Sequence, residues 1–175
     1  MKYTKILLFF LFLFFNFFKV NASENINNIK SLLEGRYELV FWEQDNLKFE
    51  YPKVAGTLIV SYNKISFTLD SNMTEGKTIK IIGWGHYTLS AKKYNYGYFD
   101  FKKMTDNGRD IQINKNLPWK GMREYSVSLK GDKLLLTSKT GKQTWKLDKD
   151  SLIYTDKEWG EDKKKVIRYW KRINK

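Results

Sequence analysis

The sequence predicts an all-β chain, an antiparallel barrel or sandwich of about eight to ten short strands. Three observations predict it. Apolar residues recur with period two along most of the chain, as in Tyr37, Leu39 and Phe41. Turn residues interrupt these runs at short intervals, as at Lys130-Gly131-Asp132-Lys133 and Thr140-Gly141-Lys142. The two prolines, Pro52 and Pro118, both fall in connections, where a missing N–H breaks no ladder.

The first 22 residues stand apart. Lys2 and Lys5 precede an apolar run from Ile6 to Phe18, interrupted only by Asn16, and small residues follow at Val20 to Ala22. This is the three-part pattern of a cleavable export signal. A membrane anchor needs about 20 apolar residues. The run 6–18 has 13. With no Cys after it, a lipoprotein anchor is excluded. The expected organisation is a leader over 1–22, a lead-in over 23–33 and one barrel domain over 34–175. The expected destination is the periplasm or the exterior.

Removing the leader changes the composition. It carries three Lys and no acid, so the net charge falls from +13 to +10. It also carries seven of the twelve Phe, which leaves a domain rich in Tyr and Trp. These side chains pair a large apolar body with one polar atom and suit barrel walls and pocket linings. The chain has no Cys, so its stability rests on a core and a hydrogen-bond ladder.

The elements follow in order. Ile29, Leu32 and Leu33 suggest one helical turn packing on the domain. Leu58, Val60 and Tyr62 alternate with Thr57, Ile59 and Ser61, and Ile65, Phe67 and Leu69 with Ser66, Thr68 and Asp70, and the short Tyr62-Asn63-Lys64 link makes these two runs a tight hairpin. Strands are expected over 78–90, 94–104, 109–115, 124–129, 134–138, 144–147 and 151–155. The last run, 166–173, is read as a closing strand that covers the edge of the first. Its Val166, Ile167, Trp170 and Ile173 also lie near helical spacing, the pattern of a basic amphipathic helix.

Few chemistries are available. One His and no Cys leave no Cys nucleophile and no ordinary zinc set. There is no Gly-x-Ser-x-Gly elbow, phosphate loop or dinucleotide fingerprint, so no cofactor is expected. No carboxylate pair is singled out by spacing. The basic charge favours acidic partners. Export points toward anionic lipid or polysaccharide and away from nucleic acid.

Several segments resemble the lipocalin-like (calycin-type) domain family. Glu34-Gly35-Arg36-Tyr37-Glu38-Leu39-Val40 is similar to its Gly-x-Trp opening, with Tyr37 in the Trp place. Gly85-His86-Tyr87-Thr88-Leu89 is similar to a Gly/Ala-x-Tyr-Thr strand. Residues 116–136, from Asn116-Leu117-Pro118-Trp119 to Leu134-Leu135-Leu136, resemble its Pro-x-x-Gly segment, Arg-bearing strand, Gly-Asp turn and Leu-rich strand. Trp170-Lys171-Arg172-Ile173 resembles its closing Trp-x-Arg strand. The resemblance implies an antiparallel barrel closed at one end and a cup for a small apolar ligand; the expected function is binding of a small apolar or amphipathic molecule without chemistry. The resemblance also implies that Tyr37 and Arg172 pack together at the closed end.

Within such a cup, six residues are candidate contacts. Trp84 and His86 share a face of Gly83-Trp84-Gly85-His86-Tyr87, where two Gly in a strand mark a bulge or a close approach. Tyr96 and Tyr98 recur at period two with Tyr94, while Phe99 and Phe101 take the other phase. The spacing leaves open which phase points inward. Trp119 follows Pro118 in a loop that suits a barrel mouth, and Tyr125 shares a face with Val127 and Leu129.

Overall fold

The computed structural model describes residues 25–74, 77–105, 109–114, 122–160 and 162–173. The leader and Trp119 lie outside the described residues. One helix, α1, covers residues 25–33. Ile29, Leu32 and Leu33 lie at the i, i+3, i+4 spacing of one helical face, and all three are buried on the barrel. Among the described residues no helix is long and apolar enough to cross a membrane.

Twelve strands follow: β1 Gly35–Gln44, β2 Leu47–Glu50, β3 Val54–Ser61, β4 Lys64–Thr74, β5 Lys77–Leu89, β6 Lys93–Thr105, β7 Asp110–Asn114, β8 Arg123–Lys130, β9 Lys133–Ser138, β10 Gln143–Leu147, β11 Ser151–Trp159 and β12 Lys164–Arg172. Ten of them close an antiparallel barrel in the order β1-β3-β4-β5-β6-β8-β9-β10-β11-β12, with β12 pairing back onto β1 from Tyr37↔Arg172 to Gln44↔Val166. That closure leaves no free edge in the ring. The final segment is therefore a strand, and its lysines are the polar residues of a closing strand.

The two remaining strands lie at the end of the barrel far from α1. Strand β2 pairs with Phe41–Gln44 of β1, beyond the stretch Gly35–Glu38 that β3 uses. Strand β7 pairs with Phe101–Thr105 of β6, beyond the stretch Lys93–Tyr96 that β8 uses. Both raise the wall at the same end. Two-residue turns suit right-twisted hairpins when both residues have positive φ. Asp45-Asn46 and Tyr62-Asn63 meet that requirement, with φ of 51° and 68°, and 48° and 62°.

Two bulges alter the simple alternation. In β1 the register against β12 shifts between Leu39 and Phe41. Phe41 then stacks on Tyr169 at 5.4 Å, while Trp42 is buried inside. Phe41 therefore leaves the face it would share with Tyr37 and Leu39. In β6 the register against β5 shifts between Tyr98 and Asp100, which leaves Phe99 unpaired. Phe99 is exposed, and Phe101 returns to the interior with Tyr96 and Tyr98. A bulge inserts one residue and re-aims those beyond it. Each bulge here places one aromatic ring, Trp42 or Phe101, inside the barrel.

The half of the barrel next to α1 is filled. Tyr37, Tyr87, Tyr94, Ile65 and Leu134 are fully buried there. The opposite half is hollow.

Candidate ligand cup

The hollow half is a cavity of about 610 Å³. That lies within the range of small-molecule sites. Its floor is aromatic. Tyr96 stacks on Tyr94 at 5.7 Å and on Tyr125 at 5.7 Å, and meets Trp145 edge-on at 5.3 Å. Tyr96 and Trp145 line the cavity, and Tyr94 and Tyr125 pack behind them.

The walls differ in chemistry. The wall from β3 to β6 is largely apolar, with Leu58, Phe67, Leu69, Met73, Ile79, Ile81 and Phe101. Gly83 on this wall makes room for Phe67, whose ring would lie 2.5 Å from a Cβ there. The facing wall, from β8 and β10 to β12, carries Arg123, Gln143, Tyr154, Asp156 and Arg168.

These polar groups form an ordered network. The Asp156 carboxylate is buried, and its Oδ2 accepts from Tyr154 Oη at 2.9 Å and Gln143 Nε2 at 2.7 Å. Its Oδ1 accepts from the Glu158 amide at 3.0 Å. Gln143 Oε1 accepts from Tyr125 Oη at 2.6 Å and from Arg123 Nη1 at 3.2 Å. Arg123 Nη1 also lies 3.3 Å from Tyr96 Oη. Burial pushes the Tyr98, Tyr125 and Tyr154 hydroxyls well above the ordinary tyrosine value, so they act as neutral donors and acceptors.

Arg168 is held differently. Its guanidinium carbon lies 4.0 Å from the Trp42 ring centre, 4.2 Å from that of Trp159 and 5.4 Å from that of Tyr154. Ring faces attract a cation but accept no ordinary hydrogen bond. Arg168 Nε and Nη2 are buried with no hydrogen-bond partner, as are Trp42 Nε1 and Trp145 Nε1. Burial lowers the Arg168 pKa from its usual value.

The candidate contacts divide. Tyr96 and Tyr98 line the cup, and Tyr125 supports its floor from behind. Trp84 and His86 belong to the outer face of β5 and are not cup residues. Trp84 is 46% exposed and donates through Nε1 to Asp100 Oδ2 at 2.9 Å. The displaced Phe99 lies between these two side chains, 5.8 Å from Trp84 and 4.8 Å from His86. The outward placement follows from strand alternation with Tyr87, which is buried, and Gly85 on that inward phase is crowded by backbone. A Cβ at Gly85 would stand 1.8 Å from the Gly97 carbonyl oxygen. The inward phase of β5 belongs to Gly83, Gly85 and Tyr87, and Trp84 and His86 take the other. At the closed end, Tyr37 and Arg172 are cross-strand partners and hydrogen-bonded to each other.

Sequence reasoning overlooked Arg123, Gln143, Asp156 and Arg168. A signal for three of them exists. Period two puts Gln143 with Trp145 and Leu147, Asp156 with Leu152 and Tyr154, and Arg168 with Val166 and Trp170. Each is a polar residue that precedes, follows or sits between apolar ones on its strand face. Among the described residues no group of three or more His, Cys, Asp or Glu is placed to hold a metal ion.

The fold and its cavity define a closed antiparallel β-barrel with one hollow end. Compared with known proteins, the chain matches no family model, no curated protein and no solved structure.

Proposed function

We propose that this chain is an exported, lipocalin-like protein that holds a small apolar or amphipathic molecule in its cup and does no chemistry on it. The observation that carries the reading is the cavity of about 610 Å³ with one apolar and one polar wall. A packed barrel would have filled that space with side chains. The export signal motif supports delivery to the periplasm or the exterior, with a mature chain starting near Ser23.

Native mass spectrometry of protein purified from its own host tests the reading. The expected result is a retained small molecule and an intact mass that starts near Ser23. Titration with a panel of fatty acids and terpenoids is expected to change tryptophan fluorescence saturably. A ligand-free protein that answers to no member of the panel overturns the proposal.

A second reading concerns the outer surface. Trp84 and Phe99 are exposed on a strongly basic chain, which supports contact with anionic lipid or polysaccharide. Co-sedimentation with phosphatidylglycerol vesicles, reduced by Trp84→Ala, tests it. Equal sedimentation with neutral phosphatidylcholine vesicles removes it.

A further inference from the structure

We infer that the occupant of the cup is an anion, an apolar tail ending in a carboxylate or similar acidic head held by Arg168. The inference rests on the reading that the cup binds an amphipathic molecule, and it adds the chemistry of the head group.

Two observations carry it. The first is a surplus of donors. Trp42, Trp145 and Arg168 line the cup, and Trp42 Nε1, Trp145 Nε1, and Arg168 Nε and Nη2 are buried with no hydrogen-bond partner. Indole and guanidinium nitrogens can only donate. The buried carboxylate and amide oxygens of the polar wall are already used: Asp156 receives three hydrogen bonds and Gln143 Oε1 receives two. The polar wall thus offers more donors than free carboxylate or amide oxygens, and an acceptor-bearing molecule complements it.

The second is unbalanced charge. Arg168 lines the polar wall with Asp156 and Glu158, but Asp156 is occupied by its three hydrogen bonds and Glu158 is paired with Lys142 at 2.5 Å. No described carboxylate forms an ion pair with Arg168. The rings of Trp42 and Trp159 hold the guanidinium in place without meeting its N–H groups. A guanidinium with two buried N–H groups and no acceptor is costly, and it remains protonated at any physiological pH. A carboxylate is its natural complement in charge and geometry. The apolar wall, with Leu58, Phe67, Leu69 and Ile81, then takes the tail.

Three probes with the same twelve-carbon tail separate the possibilities: dodecanoate, dodecanol and dodecyltrimethylammonium, each followed by tryptophan fluorescence at neutral pH. Dodecanoate is expected to bind at least tenfold more tightly than dodecanol, with the cationic probe weakest. Arg168→Met is expected to weaken dodecanoate by about ten- to a hundredfold and to leave dodecanol within about twofold. Arg168→Lys, which keeps the charge, is expected to fall between. Circular dichroism on each variant reports the fold directly. Equal binding of dodecanoate and dodecanol, unchanged in Arg168→Met, overturns the anionic head group and leaves the cup intact as a binding site. Failure of all three probes to bind overturns the cup reading itself.

Discussion

Arg172 Nη2 donates to the Tyr37 hydroxyl across 2.6 Å, and the same guanidinium closes the C-terminal end of α1. Arg172 Nη1 donates to the carbonyls of Ser31 at 3.1 Å and Glu34 at 2.8 Å, and Nη2 also donates to the Leu32 carbonyl. Tyr37 Oη lies 3.0 Å from the carbonyls of both Leu32 and Leu33. The last carbonyls of a helix have no partner within it, and a cation there also meets the negative end of its dipole. The first and last barrel strands thus hold the helix that plugs the barrel. Arg172→Met is expected to destabilise the fold by roughly 2–4 kcal/mol, and Tyr37→Phe by about 1–2 kcal/mol. Urea denaturation of each variant measures both.

The same pair makes stability depend on alkaline pH. Burial pushes the Tyr37 hydroxyl up to about 12, against the pull of Arg172. In the unfolded chain a tyrosine titrates near a pKa of about 10. The folded state therefore keeps a proton that the unfolded chain releases. This contribution is present in full below pH of about 10 and is lost as the pH rises toward about 12. Tyr87, Tyr94, Tyr98, Tyr125 and Tyr154 are shifted the same way by burial and steepen the fall. Urea midpoints from pH 8 upward, at values of about 8, 10 and 11, are expected to decline above 10. The decline is expected to be shallower in Tyr37→Phe.

Gly85 is the least replaceable glycine among the described residues. A methyl group there meets the Gly97 carbonyl oxygen at 1.8 Å and the Tyr98 Cα at 2.6 Å. Both are backbone atoms of the bulged strand and cannot swing aside. Gly85→Ala is expected to cost about 3 kcal/mol or more. Gly131→Ala is the control. Gly131 sits at φ +59° in open space, so alanine there meets only backbone strain of about 1 kcal/mol. Chemical denaturation of the two variants side by side checks the contrast.

Filling the cup separates binding from folding. Leu69 is 2% exposed and lines the apolar wall. Leu69→Trp extends a larger side chain into the cavity. Dodecanoate affinity is expected to drop at least tenfold, while stability changes by no more than about 1–3 kcal/mol. Isothermal calorimetry and thermal melts on the same sample read the two effects.

Trp84 serves as the opposite control. It packs outside the barrel against Phe99 and Asp100. Trp84→Ala is expected to cost about 1 kcal/mol or less and to leave dodecanoate affinity within about twofold. A tenfold loss of affinity would contradict the outward placement as the controlling feature.

Much of the fold was legible along the chain. Alternation located nearly every barrel strand, and Asn63 marked the turn between β3 and β4. The short β2 was missed, because Leu47 to Glu50 is only four residues long and mostly exposed. The site was less legible. Tyr96 and Tyr98 were nameable because they recur at period two, but the phase that points inward was not. One extra residue in β6 leaves Phe99 out and turns Phe101 in, and nothing local announces it. Bulges are set by the register of two strands against each other.

The sequence by itself determined an all-β chain, the period of its strands, its turn positions, its basic charge and its stock of Tyr and Trp. These follow from local backbone preference and from which side chains avoid water, and both are written residue by residue. The tertiary structure alone decided that ten strands close into a ring, that one half stays hollow, and that Arg168 stands between Trp42 and Trp159 without an acceptor. Trp42 lies in β1 and Arg168 in β12, and they become neighbours only because closing the barrel pairs the two ends of the chain. A buried charge and the rings that hold it are properties of that closure.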